Sequence, residues 1–522
     1  MQLTWGDRIR VHPAFASNEL YITLAPGALG DLEEMCGGIQ KSFKARFATL
    51  VASDERRETG FLFLYYVFSI PSDDLFLVIR VPVDPRHMEV PSISSTVEAA
   101  NWFEREVKDW YGIIPFPNIH PLASHPDWPE DVLPMLKEFD GRSQVPRIAR
   151  RADFPHVEGE GIFEIPVGPV HAGIIEPGHF RFSVAGEPIV NLDLQLYYTH
   201  KGTEKIAEGA RVARCVPLAE RISGDTSFGH ALAYCHAVER LAGITPPPRA
   251  IVIRTMLLEL ERLYNHIGDT GALLLDVGFS AGAATAFRLK EDMLHLNEIL
   301  SGSRLLRGIA ALGGVRREIE ETLHKRQAFR DTTVKVHEEF RQLIKLVQSS
   351  SSVLDRLETT GRLSQKEAFR LGIIGLAGRA SGIDRDLRRD HPHCAYSHLK
   401  FAVAGQTQGD VLARLTVRVH EVEESFRILE QLVRQREAEP YASAELHQIP
   451  PQRYALGYVE GWRGEIVHWI KTDHMGSISR WKITDPSFHN WRALPAAVQN
   501  NIVPDFPVIN KSFNLSYSGN DR

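Results

Sequence analysis

Two short stretches hold the residue types from which a reactive site could be built: Arg221–His230 (RISGDTSFGH) and Asp485–Trp491 (DPSFHNW). Each has a small polar residue, two intervening residues and another small polar residue, Ser223 with Thr226 and Ser487 with Asn490. Cysteine at those four positions would give two C-x-x-C pairs and a thiolate site for a soft metal. None of the four is Cys. Neutral hydroxyls and an amide do not replace thiolates, so these residues by themselves predict no soft-metal site.

Other candidates are scattered along the chain. Gly278-Phe279-Ser280-Ala281-Gly282 fits G-x-S-x-G, which makes a nucleophile elbow only between a strand and a helix, and here it lies in a helical stretch. His391, His393, Cys394 and His398 are acceptable zinc ligand types in no common spacing. His171 sits in the tight turn GPVHAG, where an imidazole can lean into a cleft and donate a hydrogen bond or a proton. Asp410, Arg414, Arg418 and Glu421 share one helix face, either as a surface ion-pair ladder or as a buried polar seam among apolar neighbours. Phosphate-binding loops and H-E-x-x-H are absent.

The elements that must position these residues fall into two domains joined by a linker. The 522 residues are 43% hydrophobic and 24% charged, ordinary globular values, and the net charge of −6 argues against nucleic acid as the main partner. The four cysteines make no C-x-x-C pair, which fits a reducing compartment. No signal peptide is seen, and the longest apolar run, Phe61–Phe68, is too short to span a bilayer. The fold class read here is α+β. Residues 1–145 read as a small α/β domain, with a helix over Leu29–Ala45, a hairpin of Phe61–Ile70 and Leu75–Val83, a helix over Val97–Tyr111 and a Pro- and His-rich loop over Pro115–Pro134. Residues 146–160 read as an Arg-rich linker. Residues 161–522 start β-rich and become a helical bundle. Its helices are expected over Ala207–Leu218, Gly229–Leu241, Pro248–Gly268, Ala284–Leu300, Val315–Leu346 and Asp410–Gln435, followed by a mixed, loop-like end.

Eight ordered segments, GPVHAGIIEPGHFRF, HKGTEKIAEG, ERISGDTSFGH, GRASGIDRDLRRDHP, GDVLARLTVRVHE, EGWRGE, DPSFHNW and IVPDFPVINKSFNLSYSG, run through residues 168–519. Together they resemble the large subunit of membrane-bound group 4 nickel–iron hydrogenases, of the formate hydrogenlyase and hydrogenase-4 type, and the related D-type subunit of complex I. FEREVKDWYGI (103–113) and HPDWPEDVLPMLKEF (125–139) resemble the C-type subunit of complex I, and the formate hydrogenlyase large subunit carries the same fusion.

The resemblance implies an N-terminal domain like the complex I C-type subunit, followed by a domain like the hydrogenase large subunit or the complex I D-type subunit. In the hydrogenases the two motifs read R-x-C-G-x-C-x-x-x-H and D-P-C-x-x-C. Laid on this chain, their thiolates become Ser223, Thr226, Ser487 and Asn490, so no nickel–iron centre and no hydrogen chemistry are expected. The cleavable hydrogenase tail is expected to be missing after Arg522. His171 matches the family His that meets a quinone head group. The Tyr partner maps to Gly224, with Asp225 as the candidate replacement acid. Glu204, His230, Arg463 and Asp410 map onto the cavity region. The implied roles are hydrogen-bond or proton donation by His171, charge stabilisation by Arg463, and proton relay through Asp225, Glu204 and His230. No cofactor is expected on the chain itself, quinone is the candidate acceptor, and NAD enters only at family level. The expected partners are an iron–sulfur small subunit, which holds the cluster, and membrane subunits. The expected location is cytoplasmic, on the inner face of the cell membrane through those partners. The alternative is a non-catalytic scaffold bridging an iron–sulfur subunit to antiporter-like membrane subunits.

Overall fold

The computed structural model describes residues 5–12, 16, 18–118, 122, 127–148, 154–171, 175–435, 440–442 and 449–522. The Pro- and His-rich loop, the linker and the turn after His171 each run partly outside the described residues. The N-terminal part is a five-stranded sheet of β1 (Ile9–His12), β2 (Glu19–Leu24), β3 (Arg46–Glu55), β4 (Phe61–Ile70) and β5 (Leu75–Val83), in the order β1-β2-β5-β4-β3. β2 and β5 are parallel and the other neighbours antiparallel. The predicted hairpin is β4–β5, turning through Pro71–Asp73. Helix α1 (Leu32–Ser42) is shorter than expected, because Pro26–Asp31 forms a 3-10 turn before it. Helix α2 (Asn101–Tyr111) stops at Gly112, whose φ of 71° is the left-handed cap that glycine adopts without strain.

β3 and β4 are buried along almost their whole length, since both faces of the sheet are covered. One face packs on α1 and α2. On the other, Tyr21, Phe63, Tyr65 and Phe76 join Leu456, Tyr458, Val467 and Trp469 from the far end of the chain in one apolar cluster.

The larger part opens with the antiparallel strands β6 (Ile162–Val167), β7 (His179–Ala185) and β8 (Ile189–Gln195). Its long helices are α3 (Ser227–Ala242), α4 (Pro248–Asp276), α5 (Ser280–Ser301), α6 (Leu323–Ser349) and α7 (Val411–Arg434). α4 is buried on every side and packs on α5 and α7. The helix expected over Ala207–Leu218 is instead a 3-10 turn, Val212–Arg214, and the short Val216–Ala219. α6 starts at Leu323, capped by Thr322, because Val315 pairs with Ala310 in a short ladder. Ser280 opens α5 after a turn from α4, so no strand precedes it and the elbow reading falls.

The mixed last stretch contains a sheet, β9 (Tyr454–Glu460), β10 (Glu465–Thr472) and β11 (Ile478–Thr484), and its end, expected to be loop-like, holds α8 (Pro486–Asn490), α9 (Phe506–Phe513) and α10 (Tyr517–Asp521). Those strands are buried throughout and show no alternation to read. Among the described residues no helix is long and apolar enough to cross a membrane.

Candidate functional site

Three turns meet: Ser223–Thr226 before α3, Gly461–Gly464 between β9 and β10, and Ser516, the N-cap of α10. Arg463 grips Asp225 with both arms of its fork, at 2.8 and 2.7 Å, and also donates to Thr226 Oγ1 (3.1 Å) and to the Asn514 carbonyl. Its guanidinium lies 3.8 Å from the centre of the Trp462 ring, whose Nε1 donates to Thr226 Oγ1 (3.1 Å). Ser223 donates to Asp225 (2.8 Å) and shares a 2.8 Å hydroxyl contact with Ser516, whose Oγ accepts from the Gly519 amide (2.8 Å).

Ser223 thus meets Ser516, which opens a second S-x-x-small turn ending at Gly519. The pairing expected with Ser487 and Asn490 is corrected. The Asn490 amide bonds the backbone of Ile374 in both directions, at 2.9 and 3.1 Å. The Ser487 hydroxyl accepts from the Ser516 amide, at 2.9 Å. Gly519 itself leaves space that another residue takes: a Cβ there would stand 2.6 Å from Asp485 Oδ2. That same oxygen accepts from His230 Nε2 (2.9 Å), and His230 Nδ1 faces His468 Nε2 (3.1 Å).

Of the other expected residues, Gly224 belongs to the first turn and the rest lie outside this knot of turns. The His171 ring closes its own turn on the Gly178 carbonyl (2.8 Å) and packs near Phe180. Gly224, at the exposed tip of the first turn, offers its carbonyl to Arg307 (3.4 Å). Glu204 is clamped by Arg480 (2.7 Å) and the Ile483 amide (2.9 Å), with Arg522 beside it. It lines a cavity of about 1160 Å³. Lys201 borders the same cavity and donates to Ile222 O and Ser518 O behind the turns. Asp410 caps α7 through the Ala413 amide (2.8 Å). Arg414, Arg418 and Glu421 are buried, so the polar-seam reading describes them and the surface ladder does not. The HPHCAYSH ligands diverge: His391 bonds Asp74 and Ser69, His393 accepts from the Glu460 amide, and Cys394 meets His236. Among the described residues no three His, Cys, Asp or Glu side chains are grouped to hold a metal.

The charges explain the rigidity. Packing around Asp225 opposes ionisation, but Arg463 and the Ser223 and Thr226 hydroxyls outweigh it and hold the carboxyl well below the usual range. Burial likewise works against Asp485, and the His230 bond, with Arg463 nearby, overcomes it and keeps the group a carboxylate. The narrow cleft beside Arg463, Asn490 and Phe513 has no room for a water. The expected open cavity is therefore a packed polar knot, with Gly224 and Asp225 at its exposed rim. Three hydroxyl side chains (Ser223, Thr226, Ser516) and a glycine offer no thiolate, so the residues present do not fit a nickel–iron group.

The model of the respiratory-chain NADH dehydrogenase 30 Kd subunit matches residues 30–145, and that of the 49 Kd subunit matches residues 276–458 and 442–522. The chain is 34% identical to formate hydrogenlyase subunit 5 of Escherichia coli over 91% of its own length and 84% of that protein. It is 36% identical to hydrogenase-4 component G of the same species, over 91% and 83%. The D subunit of NADH-quinone oxidoreductase of Thermus thermophilus is 30% identical over 69% of this chain and 94% of its own.

Proposed function

This chain belongs to the family of group 4 hydrogenase and complex I large subunits, with 30 Kd-type and 49 Kd-type parts fused, and from that premise we propose that it is the peripheral-arm large subunit of a membrane-bound redox complex that has no nickel–iron centre. It passes electrons to a quinone or another non-hydrogen acceptor, and partner subunits couple this to ion translocation. The iron–sulfur cluster belongs to a small subunit, and the chain lies on the inner face of the membrane through its partners. The observation that carries the reading is the refilled ligand set: Ser223, Thr226, Ser516 and Gly519 tied into one network by Asp225, Arg463 and Asp485. Arg463 would stabilise negative charge developing on the acceptor, and Asp225 would relay a proton. Metal analysis of the purified complex tests it. Nickel well below one atom per chain is expected, and stoichiometric nickel overturns the reading.

The scaffold reading has one observation in its favour. Arg463 commits its donors to Asp225, Thr226 and Asn514, in a cleft too narrow for water. Arg463→Gln in the assembled complex separates the two readings. Electron transfer to quinone falls if the site is live and is unchanged if the chain only bridges its neighbours.

A further inference from the structure

Asp485, His230 and His468 form an unbroken row of hydrogen bonds, and all three are fully buried. Its polarity is fixed by chemistry. A carboxylate has no proton to give, so His230 Nε2 carries the hydrogen and donates to Asp485 Oδ2. The His230 Nδ1 of a neutral ring is then bare and accepts from His468 Nε2–H. That leaves His468 Nδ1 as a bare acceptor, and it has no partner among the described residues. Trp481 Nε1, an equally buried donor, has none either, and its ring stands edge-on to His468 at 5.5 Å between centres. Two orphaned polar atoms of opposite sense, on neighbouring rings in an apolar wall, are the usual reason for an internal water.

We propose that Asp485, His230 and His468 are a proton relay, filled from a water held between His468 and Trp481, that delivers protons to the site in place of the missing fourth ligand. The proposal rests on the redox reading above. One proton enters at His468 Nδ1, one passes from His468 Nε2 to His230 Nδ1, and one passes from His230 Nε2 to Asp485 Oδ2. Both rings change tautomer, neither ends charged, and no electron moves. The Asp485 carboxyl then gives up its proton to the reduced acceptor and regains its charge. Burial, and then the His230 ring, pull His468 well below its ordinary value, so a neutral ring that exchanges tautomers suits the place better than a stored cation. The groups facing the row are Arg463 and Lys201 towards Asp485, and Tyr234 and Trp481 towards His468. The link to Gly519 is steric: the Asp485 carboxylate and any side chain at 519 compete for one space.

Nitrogen-15 spectra of the full chain with labelled histidine test the polarity. A bare Nδ1 and an Nε2–H on both rings is the expected result. A cationic ring, or an Nδ1–H tautomer at either position, overturns the relay. In the assembled complex His468→Gln keeps a donor for His230 but cannot exchange tautomers. Electron transfer to quinone is expected to drop by about a hundredfold, at the low end of general acid–base effects, and an unchanged rate overturns the proposal. Trp481→Phe, which keeps the ring and removes only the donor, gives a smaller slowing and covers the case in which the glutamine variant does not fold. If the unsubstituted complex moves no electrons to quinone, the parent reading fails, and the ring tautomers still decide the relay.

Discussion

Two clusters of arginine and acid stand side by side, joined through Asp269, which accepts from Asn514 (2.6 Å) on one side and Arg418 (3.1 Å) on the other. In the first, Arg463 holds Asp225, whose side chain keeps 39% of its surface exposed. In the second, Glu421 lies between Arg262 (3.3 Å), Arg379 (2.6 Å) and His266 (2.8 Å), and each of these groups is at most 1% exposed. The chemistry of the pairs is the same. The difference is in what holds them: the sealed cluster is built on the long helices α4 and α7 and the segment before α7, the open one on three turns. A sealed cluster has lost its water and stands or falls as a whole. An open one can change partner or charge without unfolding the chain, which is what a site requires.

The comparison breaks first on stability. Glu421→Ala strands Arg262 and Arg379 and is expected to cost about 3–5 kcal/mol, read from the denaturation midpoint in urea. A cost below about 1 kcal/mol would erase the distinction between the clusters. Acid probes a second buried group. Burial opposes ionisation of Glu204, yet Arg480, Lys482 and Arg522 hold its carboxyl at about 2. A lowered carboxyl contributes stability above its unfolded value, and that contribution, on the order of 2–3 kcal/mol, is lost as pH falls from about 4.5 towards 2. Arg480→Gln should flatten that part of the stability–pH curve, and an unaltered slope would show that the pair is idle. Gly519→Ala forces a methyl group against Asp485 and should cost about 1–3 kcal/mol, with most of it recovered in the double variant with Asp485→Ser. The smallest change is at the rim: Asp225→Asn keeps the shape, loses charge assistance and is expected to cost about 1 kcal/mol, with the fold intact by circular dichroism.

Local signals were legible where the chain announces them. The β4–β5 hairpin follows from two apolar runs around Pro71–Asp74, and the start of α4 from Pro248 after two prolines. The sheet of β9, β10 and β11 was not, because strands covered on both faces lose the alternation that marks a strand. The first half of the site was visible in Ser223, Asp225, Thr226 and Arg463. The second half was misplaced: S-x-x-N at 487 and S-x-x-G at 516 have the same spacing, and only the contact between Ser223 and Ser516 tells them apart. The segment FNLSYSG was in view, and a repeat of the 223–226 spacing within it was the signal to weigh. Asp485 stood at the head of a flagged stretch without a role of its own, and His468 gave no signal, since a lone His in an apolar run looks like an ordinary core residue.

The apolar cluster shared by the N-terminal sheet and the β9–β10 hairpin also sets an order of events. The hairpin that carries Arg463 cannot bury Leu456 and Trp469 until β3, β4 and β5 exist to receive them. During synthesis the first third of the chain is made well before that hairpin and waits as its template. A chain assembled from two separately produced halves would leave both apolar faces bare until they met, with aggregation competing at each encounter. In this protein the fusion gives the hairpin a local concentration of its template that no dilution lowers.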